Sequence, residues 1–505
     1  MASQANNRLA FQETDETDSP TATYVFSEQD SSKGSRARVD VMSSPPTSSW
    51  SAKPLVTTLR DIFLPSGYPQ SVSDDYLPYQ IFDSLQAFCS SIAGLLSSRA
   101  VLQGVGVGNA SASPTNALLL HILQDSSGRV ATILFAHRVG TALEPECKTY
   151  RLAADVFNDI AMILDCLSPM VPAGVARVTV LSAAGILRAL CGVAGGSSKA
   201  SLSAHFSRWG NLAELNAKDS SQETVISLLG MLVGSLVISH ITGFKTTWAA
   251  LLVLLAAHLS LNYAAVRAVQ MTSLNRQRAN IVFSAFLSSL DDSLLTTNQS
   301  TSKQVTSNNN NKQPTILTPA QASHQERIFP RDGVLEWTPS PSTPSTYLGT
   351  AEIGVSLPQF LTTTHSHPHS STTTSGASFQ TSIPMEKLHK LFADEGHILF
   401  LFPRGRGQGT AKSTWHASML LKKGCSVQAQ LKAWMHALLA ARVLSESEVP
   451  TDGGVEDVFS AVERTLGVLN AGASERCFAA LAGVGWVLDI GALETRGGRR
   501  VACVE

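Results

Sequence analysis

The sequence predicts a mainly α chain: a multi-helix membrane-associated bundle, a disordered linker, and a small α+β domain at the C-terminal end. Three observations carry this. Only 15% of the 505 residues are charged, against about 25% in ordinary soluble domains, and mean hydropathy is +0.08 although several stretches are plainly polar. The apolar residues must therefore be concentrated in part of the chain. Two runs of 21 residues, Thr224 to Phe244 and Thr246 to Val266, hold no Asp, Glu, Lys or Arg. Between about 291 and 382 the composition turns to Ser, Thr and Pro, with an Asn run at 308–311, and globular texture returns only after Ile383.

The balance of charge narrows the partners. Lys and Arg number 38 against 39 Asp and Glu, a net charge of −1, which argues against nucleic acid. Seven cysteines are scattered without a CxxC pair, so they support neither a disulfide scaffold nor a zinc site and read as free thiols in a reducing compartment.

Taken in order, residues 1–52 mix Ser, Thr, Asp, Glu and Pro with few large apolar side chains. They cannot bury enough surface to offset the entropy of ordering, and a disordered tail is expected. Glu13, Asp15, Glu16 and Asp18 speak against a mitochondrial transit peptide, and no apolar run follows Met1 as a secretory signal requires. Residues 53–290 form the helical membrane region. Each of the two uncharged runs is long enough to span a bilayer core, which takes about 20 apolar residues, and Gly243-Phe244-Lys245 joins them as a hairpin. A buried hairpin of a large soluble protein has the same length, and Ser, Thr, His and Asn interrupt both runs. Arg267, Arg276 and Arg278 follow the second run, which would place both outer ends on the cytoplasmic side of a multi-pass protein. No organelle can be read from the sequence.

Upstream, Tyr76 to Leu96, Ala112 to Leu123, Val130 to Ala136, Leu152 to Leu167 and Val171 to Ala194 are apolar but carry isolated charges, making them weaker span candidates. Gly230-x-x-x-Gly234 would permit close helix approach. Residues 291–382 are expected to form a linker unable to build a core. Within 383–505, His397 to Phe402 and Ser413 to Leu421 read as strands, and Val427 to Val443, Val455 to Leu469 and Glu475 to Leu481 as helices.

Motifs that carry chemistry are weak. Gly104-Val-Gly-Val-Gly108 lacks the GxGxxG spacing and a βαβ setting. The loop from Pro403 to Lys412-Ser413 has Ala411 where a phosphate-cradling loop needs glycine. His365, His367 and His369 lie in low-complexity sequence. No nucleophile and base arrangement emerges, so an enzyme is not expected. What remains is a set of polar residues on apolar segments: Asp75, Asp83 and Gln86 at near-helical spacing, Asp155, Asn158 and Asp159 on one helix face, and the bridge from His205 through Lys218 and Asp219 to Glu223. Ionisable residues inside a membrane helix are costly unless they serve a pathway or pair with one another. Pairing with Arg99, Lys148, Arg151 or Arg188 is the alternative.

Four segments, SGYPQSVSDDYLPYQIFDSLQAFCSSIAGLLSSRAVLQGVGVG (66–108), YRLAADVFNDIAMILDCLSP (150–169), GVAGGSSKASLSAHFSRWGNLAELNAKDSSQETVISLLGMLVG (192–234) and LNYAAVRAVQMTSLN (261–275), resemble the root UVB sensitive family, whose defining domain is the vitamin B6 photo-protection and homeostasis domain. The likeness is collinear over about 55–290. TWHASMLLKKG and QLKAWMHALLA look like the family's more variable tail domain. The chain departs from the usual pattern at Ser197-Ser198-Lys199, where Ala-Thr-Arg is typical, and at AKDSSQET, where an acidic loop with an internal glycine is usual. The resemblance implies organelle membrane proteins that associate with one another and are linked in plants to ultraviolet-B responses, seedling development, auxin distribution and vitamin B6 homeostasis, with no catalytic activity attached.

Two functions follow as expectations. One is a membrane carrier for a B6-type vitamer or related small anion, with a water-accessible cavity lined by Asp83, Gln86, Asp155 and Asp159. The other is a non-transporting scaffold whose membrane part anchors and whose C-terminal domain recruits a partner: another family member, a second copy, or a pyridoxal-phosphate enzyme. It requires a packed bundle with its buried charges paired and an apolar patch on the tail domain. Membrane lipid is a partner in both. Lys148, Lys199 and Lys218 lie in the matching region, but no context selects one as a Schiff-base lysine, and no cofactor is assigned.

Overall fold

Runs of Leu, Ile, Val and Ala without interior breakers form long helices in the computed structural model, which describes residues 8–14, 20–29, 36–43, 60, 62–104, 114–290, 314–340, 342–362, 383–406, 413–446 and 454–503. The contacts divide it into two units: Met1–Arg99 with Ala200–Ala265, and Ala100–Lys199 with Val266–Glu505. The boundary expected at 290 thus does not coincide with the division between units.

In the first unit, strands β1 (Arg8–Thr14), β2 (Pro20–Gln29) and β3 (Arg36–Ser43) pair antiparallel in the order β1-β2-β3. This differs from the disorder expected of residues 1–52. Composition measures how much core a segment can build, whereas neighbouring strands need only β-forming residues, and the run Tyr24-Val25-Phe26 and the alternation Val39-Asp40-Val41 supply them. Leu9, Phe11, Val41 and Met42 remain exposed on the sheet. Among the described residues four helices are long and apolar enough to cross a membrane: α1 (Tyr76–Gly104), α5 (Leu212–His240) and α6 (Phe244–Ala268), mostly of this unit, and α4 (Val175–Phe206), mostly of the second. The expected hairpin is α5 and α6. Gly230 and Gly234 of α5 lie against α1: a Cβ at Gly230 would stand 2.7 Å from the Ser91 Cβ, and one at Gly234 2.7 Å from a Leu95 methyl. Only glycine allows the backbones to approach this closely.

In the second unit, the segments expected at 112–123 and 130–136 are parts of one helix, α2 (Pro114–Val139); Ala112 lies outside the described residues. Its polar middle is tolerated because Arg129 pairs with Asp125 one turn earlier, 2.9 Å away. α3 (Cys147–Leu167) buries one face, including Leu152, Ala154, Ala161 and Met162. α7 (Arg276–Ser289) is buried along nearly its whole length and belongs to the C-terminal core.

That core includes much of the stretch expected to be linker. Residues 314–362 contain α8 (Pro319–Gln325), β4 (Val334–Trp337), β5 (Thr346–Ile353) and α9 (Leu357–Thr362), with Leu335, Trp337, Leu348, Ala351 and Phe360 buried. The Ser, Thr and Pro content that argued for a linker belongs to turns around short strands as well as to 291–313 and 363–382, which lie outside the described residues. α10 (Met385–Leu391), β6 (His397–Arg406) and β7 (Ser413–Lys422) follow, then α11 (Val427–Glu446), α12 (Val455–Val468), α13 (Ser474–Gly483) and β8 (Arg500–Val501). The sheet order is β4-β5-β7-β6, with β8 added beside β7. β5 and β7 run parallel, and Gly349, at φ +146°, admits no Cβ because one would fall 1.8 Å from the Trp415 carbonyl oxygen. α11 is buried on nearly every side between Gln430 and Ser445, where apolar side chains predominate. The Trp434 indole N–H donates to Asn280 Oδ1 at 2.9 Å, tying α11 to α7.

Candidate functional site

The polar residues singled out from sequence fall in both units. In the first, Asp75 precedes α1 and is buried; its carboxylate accepts from the Ser73 hydroxyl at 2.5 Å and faces His205 Nε2 at 2.9 Å. The Tyr76 and Tyr79 rings pack on Phe206, with centroids 5.5 and 5.1 Å apart. The Tyr79 hydroxyl and the Gln86 amide both donate to Asp83 Oδ1, at 3.4 and 3.3 Å. The Gln80 amide donates to the buried carboxylate of Asp219. The start of α1, the end of α4 and the start of α5 are thus joined by polar contacts within an apolar setting. Lys218 is partly buried and Glu223 exposed on α5.

In the second unit, Asp155 and Asp159 are buried on α3 and Asn158 is partly buried beside them. Arg151 Nη1 stands 3.3 Å from Asp155, and Arg188 pairs with Asp165. Of the other cations weighed as partners, Arg99 donates to the Ile238 and Ile241 carbonyls at 3.2 and 2.7 Å at the end of α5. Lys148 goes elsewhere: it and Arg278 each stand 2.6 Å from the Glu326 carboxylate, all three buried. Burial pushes the Glu326 carboxyl up, but the charges of Arg278 and Lys148 outweigh it and hold the group below its ordinary value. Glu146, nearby, lacks so close a cation, and burial raises it to about 7.

Among the described residues no group of three or more His, Cys, Asp or Glu is arranged to hold a metal. His365, His367, His369 and Gly106 to Gly108 lie outside them, as does 407–412 of the basic loop. Two large cavities in the second unit, of about 310 and 960 Å³, share Arg276, Asp332, Gly333 and Arg496, and none of the ten polar residues proposed from sequence lines either. Sequence reasoning missed their arginines. The available signal was the run Arg496-Gly-Gly-Arg-Arg500, a glycine-opened basic segment in an otherwise charge-poor chain.

Comparison with known proteins agrees with the sequence reading. The vitamin B6 photo-protection and homoeostasis domain matches residues 49–290. RUS family member 1 of Dictyostelium discoideum is 43% identical over 233 residues, which is 45% of this chain and 44% of that protein. Protein root UVB sensitive 3 of Arabidopsis thaliana is 37% identical over 226 residues, 45% of this chain and 51% of its own. Protein root UVB sensitive 6 of the same plant is 26% identical over 229 residues, 45% of each. The chain therefore spans about half the length of the curated relatives it matches. No solved structure matches it. Residues 49–290 are thus a vitamin B6 photo-protection and homoeostasis domain similar to that of the root UVB sensitive proteins.

Proposed function

We propose that the protein is an integral membrane scaffold in vitamin B6 homeostasis, its apolar helices anchoring it and its C-terminal α+β part recruiting a partner: another family member, a second copy, or an enzyme that uses the vitamer. The observation that carries this over a carrier is the pairing of the polar residues: Asp75 with His205, Asp219 with Gln80, Asp83 with Tyr79 and Gln86, and Asp155 with Arg151. Carboxylates engaged in this way stabilise a bundle, whereas a substrate path needs polar groups turned into a water-filled space. Membrane insertion is supported by Leu232 and Leu236 of α5 and Val253 of α6, exposed at 64%, 64% and 69%. Apolar surface of this extent on neighbouring helix turns is unfavourable in water and suits lipid.

The test is flux. Proteoliposomes holding the full chain are expected to move radiolabelled pyridoxine and pyridoxal no faster than empty vesicles, while the protein stays with the vesicles after an alkaline wash. Saturable flux lost in an Asp83→Asn, Asp155→Asn variant would overturn the scaffold and make those carboxylates a transport site. Loss of the protein to the supernatant in the wash would overturn membrane insertion.

A further inference from the structure

The larger cavity of the second unit has a charge that does not cancel. Its lining draws Arg276 from the start of α7, Arg404 from β6, and Arg496 and Arg499 from the segment before β8, against the carboxylates Asp332 and Glu352. Four guanidinium groups facing two carboxylates leave an excess of two positive charges in one concavity.

The four arginines differ in how far they are engaged. Arg276 is held: Nη1 donates to Asp332 at 2.5 Å, Nε donates to the Leu493 carbonyl at 2.7 Å, and the group lies over the Trp434 ring. Arg496, 69% exposed, stands loosely between Asp332 and Glu352 at 3.7 and 4.0 Å. Arg404 donates from Nη1 to the Thr350 hydroxyl at 2.6 Å, and Thr350 is in turn 2.9 Å from His416 Nδ1. That chain orients Arg404 and leaves most of its five N–H groups unused. The Arg499 backbone N–H donates to the Gly354 carbonyl at 2.8 Å, which pins the segment, while its side chain meets no partner among the described residues. Ile353, Val355, Phe402 and Pro403 supply an apolar wall, and Gly497 and Gly498 line it without side chains.

We propose that this cavity binds a small organic phosphomonoester. Such a group carries between about −1.5 and −2 charge at neutral pH, matching the excess of two. Arginine is the side chain suited to it, because the planar fork meets two phosphate oxygens at once. At about 960 Å³ the space also takes an organic body against the apolar wall, within the range of ordinary metabolite sites. His416 reinforces the selectivity: burial pushes it below its ordinary value, so it stays neutral and positions Thr350 without adding charge. Exposed arginines often lack partners, but here four from three separate segments converge on one hollow, an arrangement that repels itself when empty. This goes beyond the scaffold reading and does not depend on flux, so the two fail separately.

The experiment is calorimetric titration of the purified full chain in detergent with pyridoxine 5′-phosphate, which lacks the aldehyde that would react with lysines, and with phenyl phosphate. Pyridoxine is the unphosphorylated control. Both phosphomonoesters are expected to bind, and pyridoxine about tenfold or more weaker. An Arg404→Ala, Arg499→Ala variant should lose about tenfold or more with an unchanged melting temperature, since both side chains are exposed, and the corresponding Lys pair should fall between. Equal binding of pyridoxine and its phosphate, or unaltered binding in either double variant, would overturn the proposal. Binding seen only with vesicles containing phosphatidylinositol 4-phosphate would overturn a soluble ligand in favour of a lipid headgroup.

Discussion

Glu326 sits 2.6 Å from both Lys148 and Arg278 with all three groups buried, so its one carboxylate balances two buried cations. Removing one member of such a set leaves the others uncompensated at about 3–5 kcal/mol. Glu326→Gln is therefore expected to destabilise the second unit by that amount, seen as a lowered melting temperature of the full chain, while Glu336→Gln, whose partner Arg327 is largely exposed, should shift it little. His397 and His436 make the opposite case, a buried pair held neutral. His436 Nε2 lies 3.1 Å from the Val462 carbonyl and 3.0 Å from the Thr465 hydroxyl, and its Nδ1 lies 3.4 Å from His397. Burial lowers His436 to about 4 and His397 well below its ordinary value. A depressed folded pKa means that the unfolded chain takes up protons first, so the stability from this pair is full above pH 6.5 and is lost as pH falls towards 4. The shift at His436 is worth about 3 kcal/mol at roughly 1.4 kcal/mol per pH unit. Between pH 6.5 and 4, wild type should lose stability more steeply than His436→Gln in parallel melts, and equal slopes would refute this. The Glu146 contribution, present in both proteins, cancels from the difference.

At the scale of elements, Gly230 and Gly234 allow α5 to lie on α1. A side chain there meets Ser91 or Leu95 at 2.7 Å, and overpacking of this kind costs about 1–3 kcal/mol. Gly234→Leu should lower the melting temperature of the full chain in detergent, whereas Gly192→Leu, with open space around its Cβ position, should not. Elements of this sort were legible because the signal is physical and local: long uncharged runs for α5 and α6, apolar periodicity for α11 and α12, and a β-rich run at His397 to Phe402. Where composition hid pattern, legibility failed. Thr318-Pro319-Ala320-Gln321 is a capping box with proline at the first helical position, formed as such at the start of α8, with Gln321 N–H donating to the Thr318 hydroxyl at 3.3 Å. It was overlooked because the surrounding Ser, Thr and Pro read as linker. The candidate polar site was legible as a set of buried residues, since Asp75, Asp83, Asp155 and Asp219 are buried. Their partners were harder to foresee: Gln80 with Asp219 and Asp75 with His205 are 139 and 130 residues apart, distances that no local pattern encodes.

For the whole molecule, the matched family domain and the folded units do not end at the same place. The family match stops at residue 290, yet its last helix, α7, is built into the core formed with β4, β5 and α11. Ile281, Val282, Phe283, Phe286 and Leu287 of α7 are all buried there. Burying a large apolar side chain contributes about 1.5–3 kcal/mol, so these five together stand near 10 kcal/mol, comparable with the whole net stability of an ordinary domain at about 5–15 kcal/mol. A fragment of residues 291–505 lacks α7 altogether, and one of 383–505 lacks the strands β4 and β5 as well, leaving β7 without its parallel neighbour. Neither is expected to unfold cooperatively on heating when followed by circular dichroism. A fragment of 269–505 restores α7 and the Trp434 to Asn280 hydrogen bond and should show a cooperative transition, weakened because Glu326 has lost Lys148 but kept Arg278. If 383–505 melts cooperatively by itself, the tail is an independent domain and α7 only leans on it. If 269–505 alone does so, the end of the family domain and the C-terminal sheet form one folding unit, and a substitution in α7 will disturb the arginine-lined cavity through Arg276 at its first turn.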